Sequence, residues 1–189
     1  VKQPSGKGNY FLGVLPPEPL LSQCRELKQY FQEKYSSKAS LNSPPHITLH
    51  MPFEWRDDRV DFLGLTLRRF SESEGGFPVV LTNFGCFEPR VIFIDVKHSE
   101  GLMGFQKRLS AVCRTGLQLF RPNHDDRPFH PHLTLAFRDL RRVQFKKAWE
   151  EFSNRTFHAE FIVNSFSLLK HDGRNWNVAM DFGLSQARP

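Results

Sequence analysis

The sequence predicts an α+β fold: a bilobal, duplicated architecture in which two mainly antiparallel sheets, backed by helices, face a central cleft. Three observations predict it. The order strand, helix, short strand, helix, strand can be traced twice along the 189 residues. The short middle strands carry nearly the same word, PPHITLH at 44–50 and HPHLTLA at 130–136. No stretch of flexible composition divides the copies, so both are expected to share one domain over 10–184.

The first half opens with the apolar run Tyr10–Leu15, stopped by Pro16-Pro17 and read as a strand. Leu20, Cys24, Leu27, Phe31 and Tyr35 follow at intervals of three and four, which marks one face of a helix. Ser36–Pro45 reads as a loop, and His46–Met51 alternates as a strand does. Val60, Leu63, Leu67 and Phe70 mark a second amphipathic helix, closed by Gly75-Gly76. Phe77–Phe87 and Val91–Val96 read as paired strands around Glu88-Pro89, and the latter also opens the second half. There Leu102, Phe105, Leu109, Val112 and Gly116 keep helical spacing. Leu119–Pro131 is a loop rich in Arg, Asp, His and Pro, and His132–Phe137 is the second short strand. Val143, Trp149 and Phe152 are expected on a shorter helix. Phe157–Leu169 reads as one long strand, and Trp176–Phe182 returns beyond the Asp172-Gly173 turn. Val1–Asn9 and Ser185–Pro189 read as tails.

Composition narrows the partners. The formal net charge is +6, a moderate positive field that favours polyanions such as nucleic acid or phosphorylated small molecules. Cys24, Cys86 and Cys113 are odd in number, widely spaced and form no CxxC pair. That pattern indicates neither a disulfide framework nor a zinc site, and fits a reducing, cytoplasmic setting. No apolar run approaches the roughly 18 residues of a membrane helix, and the start carries no apolar signal region.

Chemistry concentrates in the repeated word. His46 and Thr48 are two residues apart, as are His132 and Thr134, so on strands each pair shares a face. Ile47, Leu49, Leu133 and Leu135 point the other way, into the core. Two such strands would offer two imidazoles and two hydroxyls to one space. Phosphoryl chemistry can use that set: one imidazole takes a proton from water, the other donates to the leaving oxygen, and the hydroxyls hold phosphate oxygens. The scheme needs no metal and no cofactor.

The words Pro45-His46-Ile47-Thr48-Leu49 and Pro131-His132-Leu133-Thr134-Leu135 resemble the paired H-x-T-x motifs of the two-histidine (2H) phosphoesterases. The chain looks most like their 2′-5′ RNA ligase, or RNA 2′,3′-cyclic phosphodiesterase, branch, with the likeness running from Tyr10 to Leu184. The resemblance implies a cleft lined by both motifs, His46 as acid, His132 as base, and Thr48 and Thr134 as phosphate ligands. It implies opening of a 2′,3′-cyclic phosphate to a 2′-phosphate with departure of the 3′-oxygen; the reverse reaction would be 2′-5′ ligation. The expected partners are RNA ends or nucleotide cyclic phosphates, with no membrane and no obligate protein partner. Because the duplication supplies both halves of the site, a monomer is expected.

Further candidates flank the motifs. His50 and His130 extend the two imidazole rows, as auxiliary contacts or as ordinary polar residues at the cleft rim. Arg121, His124 and Arg127 could clamp phosphate, or belong to a solvated loop with Asp125 and Asp126. Tyr10, Phe53, Trp55, Phe129 and Trp176 could stack on bases or fill the core. The substrate-binding candidates are His130, Phe129, Arg127 and Tyr10. Arg138, Arg141, Arg142, Lys146 and Lys147 form either a nucleic-acid-facing patch or a solvated helix face. Two rival functions remain: a nucleotide- or RNA-binding module without turnover, and a hydrolase of 2′-5′ oligoadenylate or of an ADP-ribose cyclic phosphate.

Overall fold

A computed structural model describes residues 6–119 and 128–185. These contain four α-helices, α1 (Leu20–Tyr35), α2 (Val60–Glu72), α3 (Glu100–Thr115) and α4 (Arg142–Phe152). The eight strands are β1 (Lys7–Val14), β2 (Ile47–Arg56), β3 (Phe77–Phe87), β4 (Val91–Val96), β5 (His132–Ala136), β6 (His158–Val163), β7 (Ser165–His171) and β8 (Trp176–Gly183). They are ordered β6-β3-β4-β5-β2-β1-β7-β8, and every neighbouring pair is antiparallel.

The two expected sheets are therefore two four-stranded halves of one sheet. They join at β2 and β5 through a single residue pair, Ile47 opposite Leu133. Each half borrows its third strand from the other repeat. β3 closes the first repeat yet pairs with β4, and β7 closes the second yet pairs with β1.

That exchange corrects the reading of Phe157–Leu169 as one strand. The run divides at Asn164: β6 pairs with β3 in one half, and β7 pairs with β1 and β8 in the other. No Gly or Pro marks the crossing, so the local sequence gives no break signal. Helix α4 also turns a different face inward. Val143 is 67% exposed, and Phe145, Ala148 and Phe152 carry the burial. At the ends, Lys7–Asn9 belong to β1 and pair with Glu54–Arg56, and Ser185 donates its amide to the Glu74 carbonyl, so these residues are not free tails.

The helices cover the apolar side of the sheet. α2 packs on β8 and α4 on β4, whereas α1 reaches across to β5 and α3 to β2. Two clusters of aromatic rings result. Phe70, Phe77, Phe105 and Phe166 form one, which spans β3 and β7, and Phe31, Phe84 and Phe152 form the other. Full burial of each such ring contributes about 1.5–3 kcal/mol. The chain leaves α1 through Ser36, whose left-handed backbone (φ 56°) turns it back toward the sheet.

Polar bonds then fasten one repeat to the other. Ser40 Oγ donates to the Leu135 carbonyl at 2.6 Å, and Gln106 Nε2 donates to the Leu49 carbonyl at 3.3 Å. The Asp139 carboxylate accepts from Ser37 Oγ, Lys38 N and Ala39 N at 2.8, 2.8 and 3.0 Å. The segment leading to His46 is thus anchored on the strand that carries His132.

Candidate active site

The two repeated words meet at the seam of the sheet. Ile47, Leu49, Leu133 and Leu135 are at most 1% exposed and face the core. His46, Thr48, His132 and Thr134 are half-buried on the opposite face. In the register set by Ile47 and Leu133, Thr48 lies across from His132, and His46 across from Thr134. Alternation along each strand and antiparallel pairing between them suffice to gather all four side chains.

Each imidazole is held the same way. His46 Nδ1 is 2.8 Å from the Pro44 carbonyl, and His132 Nδ1 is 2.8 Å from the His130 carbonyl. A carbonyl only accepts, so Nδ1 carries the hydrogen in both rings and Nε2 is the free lone pair of the neutral form. Each ring also rests on a phenylalanine from the neighbouring strand, Phe11 under His46 at 4.6 Å and Phe93 under His132 at 4.9 Å. Glycines permit these approaches. A Cβ at Gly13 would lie 3.1 Å from the Ile47 carbonyl oxygen, and one at Gly85 would lie 2.4 Å from the Phe93 ring. Phe87, 41% exposed, adds an edge contact to His132 at 5.2 Å, and Trp176 meets Phe11 at 4.8 Å.

Burial lowers the basicity of both rings. His46 is pushed down to about 3, by burial first and then by the Lys28 charge, against the Pro44 hydrogen bond. His132 is also lowered by burial; the His130 carbonyl and Asp95 oppose that shift. The two rings feel each other as well, since His132 contributes to the depression of His46. Lys28 is itself 2% exposed; its Nζ donates to the Ser40 and Ser43 carbonyls at 2.9 and 3.1 Å.

Several sequence candidates lie elsewhere. Tyr10 is 1% exposed and turns to the core, stacked on Phe53 at 6.2 Å. A bulge in β2 faces β1 between Tyr10 and Leu12, and Phe11, on the other face of β1, is the ring beside His46. His50 is 3% exposed, its Nδ1 bonded to the Met51 carbonyl, so it is not a rim residue. Trp55 is buried, with Nε1 donating to the Arg59 carbonyl. His130 is exposed, 3.4 Å from Asp95 Oδ1, and stays beside the site: its ring is 6.1 Å from the His132 ring and meets Phe87 and Phe93, and its carbonyl holds His132. Phe129 is half-buried against the core. Arg121, His124 and Arg127 lie outside the described residues. Among the described residues no group of three or more His, Cys, Asp or Glu is placed to hold a metal ion.

Sequence reasoning missed Phe11, Phe93 and Lys28. The two phenylalanines were legible as a pair, since each occupies the same place on the opening strand of its repeat. Lys28 was legible as a member of the stripe Leu20, Cys24, Lys28, Phe31, Tyr35, which is the face that α1 buries.

Comparison with known proteins bears on the fold and the family. A Geobacillus kaustophilus protein provisionally named a phosphoesterase is 27% identical over 176 residues, covering 92% of this chain and 94% of the relative. A similarly named Oceanobacillus iheyensis protein is 25% identical over 180 residues, covering 94% and 98%. Among solved structures, TT0787 of Thermus thermophilus superposes with a TM-score of 0.68 at 23% identity, covering 95% of this chain and 100% of that one. LigT of E. coli superposes with a TM-score of 0.67 at 22% identity, covering 96% and 100%. These two establish likeness of fold. The sequence model of the 2′-5′ RNA ligase superfamily matches residues 16–175, and the chain therefore belongs to that superfamily of two-histidine phosphoesterases.

Proposed function

We propose that the protein is a phosphodiesterase that opens 2′,3′-cyclic phosphates of RNA ends or nucleotides to 2′-phosphates by two-histidine acid–base catalysis. One observation carries this reading: two imidazoles on facing strands, each with Nδ1 tied to a carbonyl and Nε2 without a hydrogen-bond partner among the described residues. A binding site has no need of two matched proton carriers. Complexes of the E. coli LigT structure with 3′-AMP, phosphate and ATP support a nucleotide phosphate as the ligand class.

In the proposed reaction His132 Nε2 takes the proton of a water whose oxygen forms the new bond to phosphorus. The bond from phosphorus to O3′ breaks, and His46 Nε2–H gives O3′ its proton. Thr48 and Thr134 hydroxyls donate to the non-bridging oxygens, where charge grows in the transition state. The ring-opening step consumes one water and needs no other reactant. With a 5′-hydroxyl attacking in water's place and O3′ again leaving, the same proton traffic serves 2′-5′ bond formation. With only protein groups around it His46 stays neutral, so its acid role requires the phosphate anion to supply the counter-charge.

His46→Ala and His132→Ala should each lower kcat by about 10²–10⁴-fold while the circular dichroism spectrum stays native. An activated ester such as bis(p-nitrophenyl) phosphate separates the roles. Its leaving group needs no proton, so His46→Ala should retain turnover on it and His132→Ala should not. Near-full turnover of the cyclic phosphate by either variant would overturn the paired mechanism, and binding of 3′-AMP without any turnover by the unaltered protein would identify a binding module instead.

A further inference from the structure

Beyond the seam, one concavity of about 630 Å³ gathers positive charge from four separate parts of the chain. Lys38 comes from the segment after α1, Arg90 from the β3–β4 turn, Arg138 and Arg141 from the β5–α4 connection, and Arg142 from the first turn of α4. Among the described residues none of these five cations forms an ion pair, although seven other pairs do form. The one carboxylate lining the cavity, Asp139, has both oxygens occupied by Ser37 Oγ, Lys38 N and Ala39 N. Like charges repel by about 1 kcal/mol per pair at 4 Å in water, so crowding them gives the fold nothing in return. Arg138 is further held at φ 55°, a left-handed conformation that a residue with a Cβ adopts at a cost of about 1–3 kcal/mol. The free amides at the start of α4 add to the same positive field.

The β3–β4 hairpin links the cavity to the imidazoles. Arg138 is six residues beyond His132, which limits their separation to at most about 20 Å. Arg90 is three residues from Phe87, whose exposed ring meets His132 at 5.2 Å. A chain leaving the site past Phe87 would meet a stacking surface and then the cations.

We propose that this cavity docks the phosphodiester backbone of the RNA that lies upstream of the reacting end, which makes oligoribonucleotides the favoured substrate class. The proposal rests on the cyclic-phosphodiesterase reading for its account of turnover, but not for binding. The test is fluorescence anisotropy of a single-stranded RNA of about eight nucleotides carrying an ordinary 3′-hydroxyl, with the full chain. Arg90→Glu with Arg138→Glu should weaken binding at least tenfold. The slope of log K against log salt should become shallower by about 0.7 for each phosphate no longer neutralised. The neutral pair Arg90→Gln with Arg138→Gln should weaken it less, and serves as the deciding variant if the Glu pair fails to fold by circular dichroism. In parallel, KM for an oligonucleotide 2′,3′-cyclic phosphate should rise in the variants while turnover of a mononucleotide cyclic phosphate is unchanged. Inorganic phosphate competing as well as RNA of equal phosphate content would show a free-phosphate site and overturn the backbone proposal. Unchanged RNA affinity and salt slope in the variants would also overturn it. Absence of turnover on both substrates in the unaltered protein would instead sink the catalytic reading and leave the binding result to decide the docking site.

Discussion

Lys28 sits on the buried stripe of α1 and donates to the carbonyls of Ser40 and Ser43, one residue before Pro44, whose own carbonyl holds His46. Its charge also helps depress the His46 ring, after burial. Lys28→Met keeps the length of the side chain and removes both effects. The His46 ring should then titrate at higher pH than in the unaltered protein, though still below 6.5 because burial remains. Activity should fall about tenfold as the Ser43 carbonyl, next to Pro44, loses its Lys28 donor, at about 1–3 kcal/mol. An NMR titration of the histidine ring protons checks the first expectation, and an unmoved His46 would reduce Lys28 to packing. The His/Thr pairs were legible in the sequence because alternation is a local property. Tyr10 and Phe11 were not separable, because β1 is buried on both faces from Tyr10 to Val14 and its apolar run carries no alternation. Lys28 was passed over, since a long charged side chain on an apolar stripe usually carries its head to water.

Strands β3 and β4 show how an element prepares the site. Gly85 is paired with Phe93, and a Cβ there would come within 2.4 Å of the ring that supports His132. Gly85→Ala should displace Phe93, destabilise the protein by about 1–3 kcal/mol through overpacking and lower kcat more than KM. Gly183→Ala is the control, since a Cβ at Gly183 meets nothing within 4 Å. Thermal melting and steady-state kinetics on both variants check this, and equal behaviour of the two would remove Phe93 as a support. Most elements were legible: Phe77–Phe87 and Val91–Val96 have the expected bounds because the turn residues between them are explicit. The partition of 157–169 into β6 and β7 was not. It is decided by which distant strands each piece pairs with, and an apolar run looks alike on both sides of Asn164. The face of α4 was misjudged for a related reason, since Val143 could close the stripe as well as Phe145 until burial chose.

At the scale of the whole molecule, exchange of third strands and a set of buried or paired titratable groups tie the repeats together, so stability should follow pH in a defined way. The repeated word made the duplication legible, but the exchange depends on strand partners and left no local mark. Glu151 of α4 accepts from Tyr30 and Lys34 at 2.7 Å, pairs with Arg155 at 2.6 Å, and also accepts from Tyr35 of α1. Burial alone would raise its carboxyl, but these donors win and pull it down from 4.5 to about 2. A carboxylate shifted down contributes stability above its unfolded pKa and loses it as pH falls toward the folded one. His46, shifted from 6.5 to about 3, acts in the same direction, because the folded state resists a proton that the unfolded chain accepts. Lys28, shifted from 10.5 to about 7, extends the trend upward: its burial weighs most below pH 7 and fades as pH rises toward 10.5. Thermal midpoints should therefore fall from pH 6.5 downward and fall further below 4.5, with a shallow rise above 7. Glu151→Gln should remove the step below 4.5 and leave the histidine step, while Lys28→Met should flatten the alkaline rise. Melting curves across pH for the three proteins would check this, and a midpoint that stays level between pH 6.5 and 4.5 would contradict the lowered basicity of His46.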